Sequence, residues 1–128
     1  MRKFSLTTVM VSLALLTLGF SGCMSGSSFQ EIKGQDLQKM LDSKENIALV
    51  DIRDARDYAK GHIPSAINIP FSDFSNRYTE LKPDVKTVLV CYSGGTSKSA
   101  AQFLLGKNYT KIVSVSGGMM DWSGEVTK

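Results

Sequence analysis

Cys91 lies at the junction of an apolar run, Thr87-Val88-Leu89-Val90, and a short polar stretch, Tyr92-Ser93-Gly94-Gly95-Thr96-Ser97. The apolar run reads as a buried strand and Lys98 to Leu105 as a helix, so Cys91 is expected to end a strand just before a tight turn. Gly94 and Gly95 have no Cβ and can reverse the chain there through positive φ. The N–H groups of such a loop and of the first helical turn have no helical partner and converge on one point. A sulfur at that point meets donor dipoles, which favour the thiolate over the thiol. The alternative is a small buried hydrophobe, which would have no use for two glycines and the hydroxyls of Ser93, Thr96 and Ser97.

Other candidate groups are few. His62 is the only histidine. It sits in Gly61-His62-Ile63-Pro64, and a preformed thiolate needs no general base, so a catalytic role for it is not expected. One histidine and one remaining cysteine are too few soft ligands for a metal centre, and no metal or cofactor is expected. Asp51 and Arg53 pair with each other or with nearby backbone, or Arg53 contacts substrate. Tyr92 and Lys98 stand at a pocket mouth or are simply solvated. Met119, Met120 and Trp122 read as packing residues beside the site that could also wall off a pocket.

The elements that position these residues follow in order. Phe29 to Ile32 reads as a first strand, and Gln35 to Leu41 as an amphipathic helix through Leu37, Met40 and Leu41. Ile47 to Ile52 is a nearly unbroken apolar run, as expected of a strand buried on both faces. Asp54 is expected to cap a short helix that runs to Lys60 and stops at Gly61. Ile67 to Ile69 is a brief strand before Pro70, and Phe71 to Leu81 is a helix with Phe71, Phe74 and Tyr78 on one side. Gly106 fits the C-cap of the helix after Cys91. Ile112 to Val115 is the last strand, followed by Gly117-Gly118 and a helical turn that carries Trp122. Strands alternating with helices predict an α/β fold, a parallel sheet covered on both faces. Right-handed crossovers then bring Asp51, Arg53 and Cys91 to one edge.

The first residues read differently. Arg2-Lys3, an apolar run from Phe4 to Phe20, and Ser21-Gly22-Cys23 form the charged, apolar and small-residue regions of a signal peptide. About fifteen helical residues span about 22 Å, short of the hydrocarbon core of a bilayer. Phe20-Ser21-Gly22-Cys23 resembles the bacterial lipobox, with Phe20 where leucine is usual, and this implies acylation of Cys23. The expected organisation is a signal peptide over 1–22, a tether over 23–28 and a folded domain over 29–128. The domain is expected outside the cytoplasm, as a membrane-anchored lipoprotein of the periplasm or cell surface. Loss of Arg2 and Lys3 lowers the formal charge from +3 by two, to +1, which leaves no basic excess to bind nucleic acid. With Cys23 acylated, Cys91 is the one thiol left in a compartment that favours disulfides.

Three ordered motifs carry a family resemblance. Val50-Asp51-Ile52-Arg53 with Tyr58 to Pro70, the Cys91 to Ser97 loop, and Ser116-Gly117-Gly118 with Trp122 resemble the signatures of a single-domain rhodanese, from roughly Phe29 to Gly124. The resemblance implies a rhodanese-like five-stranded parallel sheet with helices on both faces. It further implies a sulfurtransferase whose Cys91 carries sulfane sulfur as a persulfide, from an anionic or persulfide donor to a thiol or protein acceptor. Catalysis is assigned to Cys91, and substrate binding to Tyr92, Ser93, Gly94, Gly95, Thr96, Ser97 and Arg53. Phosphatases and arsenate reductases of the same fold have a loop one residue longer that ends in arginine. Here Ser97 stands six residues after Cys91 and the loop contains no arginine, so a phosphate would lack its bidentate clamp. Rhodaneses that favour thiosulfate commonly carry a cation inside the loop, whereas this loop is neutral, and a persulfide donor is the expectation. Two other classes remain open: a ligand- or protein-binding module without turnover, and a single-cysteine thiol redox protein that needs a partner thiol.

Overall fold

A computed structural model describes residues 28–128; the signal-peptide and lipidation expectations, including Cys23, fall outside the described residues. Five strands form one sheet: β1 (Gln30–Ile32), β2 (Ile47–Asp51), β3 (Ile67–Asn68), β4 (Lys86–Val90) and β5 (Ile112–Val115). All pair in parallel, in the order β1-β5-β4-β2-β3. The helices are α1 (Gly34–Asp42), α2 (Ala55–Lys60), α3 (Phe71–Arg77) and α4 (Gly95–Leu105), with 3₁₀ turns at Tyr78–Glu80 and Gly118–Met120. None of the described helices is long and apolar enough to cross a membrane.

Side chains alternate across a strand, so each central strand feeds two cores. Val50, Leu89, Cys91 and Ile112 face α3 and α4, where they meet Phe74, Ala100, Ala101 and Leu104. Leu49, Val88, Val90, Val113 and Val115 face the other way, toward Leu37 of α1, with Tyr58 of α2 packed against the cluster. Burial on both faces explains the unbroken apolar runs.

Register brings the site together. Asp51 pairs with Val90, and the Ile52 amide donates to the Val90 carbonyl at 2.9 Å, so the ends of β2 and β4 lie side by side. The expected shared edge of Asp51, Arg53 and Cys91 follows from this pairing. On the α3 side, Phe74 meets Phe103 edge-on, and Tyr109 donates to the carbonyls of Tyr78 and Leu81. These contacts fix α3 so that Phe71, at its first turn, stands beside the end of β4.

Several local expectations are corrected. Helix α4 starts at Gly95 rather than Lys98, so Thr96 and Ser97 belong to its first turn. Only Gly94 takes a positive φ, +102°; Gly95 does not. Asp54 occupies the cap position of α2 without a side-chain cap hydrogen bond. Helix α3 ends at Arg77, and the chain tightens into a 3₁₀ turn where the sequence suggested one continuous helix. Gly106 does stand at the C-cap of α4, as expected, but in right-handed geometry, and Asn108 supplies the left-handed residue after the helix. Trp122 follows the Gly118–Met120 turn instead of lying in it.

Candidate active site

Cys91 follows the last residue of β4 and is 4% exposed, at the floor of a depression of about 240 Å³. Ile52, Phe71, Tyr92 and Thr96 form the apolar and hydroxyl walls of this depression. Arg53, Asp54 and Asp57 complete it from the β2–α2 side. Tyr92 is 64% and Phe71 43% exposed, so two aromatic rings flank the approach to a nearly covered sulfur.

The loop is shaped around that sulfur. The Gly94 amide donates to Cys91 Sγ at 3.0 Å. Gly94 reaches this position with φ +102°, and its missing Cβ would lie 3.1 Å from the Gly117 nitrogen, so both conformation and space call for glycine. Burial, the largest single influence on the thiol, raises its pKa. The Ser97 amide and hydroxyl, then the Gly94 and Ser93 amides, act in the opposite direction and together outweigh burial, so the pKa is lowered. A measurable consequence is that alkylation of Cys91 should titrate below an unfolded-chain cysteine. The rate should reach its plateau at lower pH in the native protein than in the same chain in denaturant, because a lowered pKa gives more thiolate at neutral pH. Coinciding profiles would show that the loop does not hold the anion.

Two groups brace the loop from behind. The Met119 amide donates to the Cys91 carbonyl at 2.8 Å, and the Met120 amide to the Tyr92 carbonyl at 2.9 Å. In a trans peptide the N–H points opposite the C=O, so fixing the Tyr92 carbonyl aims the Ser93 amide away from this turn. The close approach requires Gly118, which sits at φ +52° against the Cys91 and Tyr92 carbonyls. Below the loop, Ser97 Oγ donates to the Gly94 carbonyl at 2.9 Å.

Arg53 is committed to structure. Its Nη2 donates to Asp51 Oδ2 at 2.7 Å and to the Gly61 carbonyl at 2.7 Å, and its Nε donates to both Asp51 oxygens. The Arg53 amide also donates to Asp51 Oδ1, at 3.0 Å. The Asp51 side chain is 2% exposed and that of Arg53 12%. A bidentate pair in this setting neutralises the guanidinium next to the depression. Asn68 Nδ2 ties the segment down by donating to the carbonyls of Asp51 and Arg53. Lys98, the other cation considered near the loop, pairs with Glu31 at 3.1 Å and does not line the depression.

Of the residues assigned to substrate, Tyr92, Thr96 and Arg53 line the depression with Cys91. Gly94 and Ser97 are buried beneath it, and Ser93 and Gly95 are exposed. His62 lies elsewhere: it stacks on Tyr58 with ring centroids 3.6 Å apart, and its Nδ1 is 2.9 Å from the Tyr58 carbonyl. Its backbone pairs with Thr127 in an antiparallel bridge. Trp122 packs toward α1 and donates to the Glu125 carbonyl at 2.9 Å; neither it nor Met119 or Met120 lines the depression. Residues not assigned to the site from the sequence are Asp54, Asp57 and Phe71 on the wall, Asn68 and Ser114 behind it. Ser114 carried a signal, as a hydroxyl within the apolar run Ile112-Val113-Ser114-Val115.

Comparison with known proteins bears on the fold and the family. The thiosulfate sulfurtransferase GlpE of Shewanella oneidensis is 32% identical over 96 residues, 75% of this chain and 94% of that protein. The YrkF protein of Bacillus subtilis is 32% identical over 101 residues; the match covers 79% of this chain and 55% of YrkF. The crystal structure of a rhodanese-related protein from Thermoplasma volcanium superposes with a TM-score of 0.70 at 27% identity, over 77% of this chain and 98% of that one. Residues 34–125 match the rhodanese-like domain, and the chain belongs to that family.

Proposed function

We propose that this domain is a sulfurtransferase in which Cys91 accepts and hands on sulfane sulfur. The observation that carries the reading is the Gly94 amide 3.0 Å from Cys91 Sγ at the floor of the depression. The Cys91 thiolate attacks the outer sulfur of the donor, forming a sulfur–sulfur bond as the donor's own breaks. The bonding pair leaves with the donor remnant, as sulfite from thiosulfate or as thiolate from a persulfide. The terminal sulfur of the resulting persulfide is then attacked by a thiol or other thiophilic acceptor, which returns Cys91 as thiolate. The amides of Ser93, Gly94 and Ser97 stabilise the anion at both stages.

The charges around the depression favour one donor class. Arg53 is neutralised by Asp51, Lys98 lies outside the depression in an exposed pair with Glu31, and Asp54 and Asp57 stand on the wall. A small dianion such as thiosulfate finds no uncommitted cation there among the described residues, while a persulfide presents one reacting sulfur on a larger carrier. The flanking rings of Tyr92 and Phe71 suit the apolar part of such a carrier.

Intact mass measurement of the membrane-extracted protein tests the reading. Added persulfide is expected to load one sulfur on Cys91 at concentrations where thiosulfate loads little, and a thiol acceptor should remove it. Absence of any sulfur adduct with either donor would overturn the assignment. The same spectrum reads Cys23 separately: we propose that it is acylated and holds the domain outside the cytoplasm, and an unmodified Cys23 would refute that part alone.

A further inference from the structure

We propose that the end of the sheet opposite Cys91 is a docking surface for an anionic membrane, which leaves the active site facing the aqueous phase. The proposal rests on the acylation of Cys23 proposed above and gives the anchored domain one orientation. All five strands run the same way, so Cys91 and its depression lie at their C-terminal ends, and their N-terminal ends share the opposite edge. The five residues of β4 separate the two edges by about 17 Å.

The loops at that opposite edge are rich in lysine. Lys44 lies between α1 and β2, Lys82 before β4, and Lys107 and Lys111 between α4 and β5; all four are exposed. They share one surface. Ile47 pairs with Lys86 and Thr87 with Ile112, so the three loops feed neighbouring strands. Lys111 Nζ donates to the Asp84 carbonyl at 3.0 Å, and Lys107 Nζ lies 5.6 Å from the centroid of the Tyr78 ring, in the turn that precedes Lys82. The carboxylates in these loops are Asp84 and Glu45, and Glu45 pairs with the half-buried Lys86. Among the described residues, none of the four exposed lysines pairs with a carboxylate. Five lysines against two carboxylates leave this edge at +3, on a mature chain of +1, so the rest of the chain is net negative. At the other end Asp54 and Asp57 stand on the wall of the depression.

The anchor joins the fold at the lysine edge. Phe29 leads into β1, where Gln30 pairs with Val113 near the start of β5. The six residues from Cys23 to Phe29 reach at most about 20 Å when extended. Turning Cys91 toward the bilayer would use nearly all of that length to climb the height of the sheet, whereas the lysine face meets the headgroups with length to spare. Each lysine near an anionic surface adds attraction, and the tether makes the contact intramolecular, so a modest attraction suffices. Donor and acceptor then reach Cys91 from the aqueous side.

The test is lysine footprinting of the membrane-extracted full-length protein, reconstituted in phosphatidylcholine vesicles with and without phosphatidylglycerol. Acetylation of Lys44, Lys82, Lys107 and Lys111 is expected to slow roughly three- to tenfold on the anionic vesicles and to recover in high salt. Lys60 and Lys98, toward the site end, should react equally on both, as should Cys91 with an alkylating reagent. Lys44→Glu combined with Lys82→Glu should remove the protection of Lys107 and Lys111 without changing the thermal midpoint or sulfur loading in detergent. Equal acetylation on the two kinds of vesicle, protection of Lys60 and Lys98 instead, or protection that survives the charge reversal would overturn the proposal. Protection in native membranes but not in protein-free anionic vesicles would also overturn it, and would assign the face to a protein partner. Intact mass separates the two layers: an unmodified Cys23 refutes the anchor and this orientation with it, while an acylated Cys23 with unprotected lysines refutes the orientation alone.

Discussion

Cys91→Ala is expected to reduce sulfur transfer to the uncatalysed background with every donor, and to abolish the sulfur adduct seen by mass spectrometry. The reason is the absence of a substitute. Cys91 is the free cysteine of the described residues, and none of the other groups around the depression is a thiol. The fold should survive: Cys91 is one member of a buried cluster of twelve residues, and its truncation costs on the order of 1 kcal/mol. Cys91→Ser gives a sharper version, because its hydroxyl keeps roughly the same shape yet does not ionise near neutral pH. Transfer persisting in either variant would remove the sulfur from the centre of the mechanism, whatever the loop amides do.

Gly118→Ala should be the most damaging change that leaves the nucleophile in place. An alanine Cβ would fall 2.7 Å from the Tyr92 oxygen and closer still to that of Cys91, both backbone atoms that cannot swing aside, and φ +52° is strained for any residue with a side chain. The Gly118–Met120 turn must then retreat, and the hydrogen bonds from Met119 and Met120 to the loop carbonyls lengthen or break. We expect a stability loss of roughly 2–4 kcal/mol in denaturant titrations. The Cys91 alkylation midpoint should also rise, since the Ser93 amide loses its aim. Gly95→Ala is the matched comparison. Gly95 has ordinary φ, and a Cβ there meets nothing within 4 Å, so stability should change by less than about 0.5 kcal/mol. Equal effects of the two substitutions would mean that steric closeness under the loop is not what shapes it.

Two glycines that look alike in the sequence thus play opposite parts. Gly94-Gly95 reads as one flexible turn, but the helix claims Gly95, because nothing in the following residues resists helical geometry, and the whole reversal falls on Gly94. The Gly117-Gly118 pair enters the sequence as part of the third motif, and the importance of Gly118 comes from what stands opposite it, the carbonyls of Cys91 and Tyr92. Arg53 shows the same effect in charge. A lone arginine near a sulfur site invites assignment to an anionic substrate, yet its Nε and Nη2 are taken by Asp51 and the Gly61 carbonyl.

What the chain determines by itself is local: apolar runs of strand length, amphipathic segments between them, and a cysteine where a strand gives way to a glycine turn and a helix. These follow from side-chain periodicity and backbone freedom, which act over a few neighbouring residues. What tertiary structure alone decides is who stands behind the loop. Ser114 and Gly118 act through contacts between β5, or the turn after it, and the loop and helix that follow β4, and neither the register nor the direction of those contacts is encoded in the spacing of the residues that make them; the Asp51–Arg53 pair, two residues apart, is by contrast local.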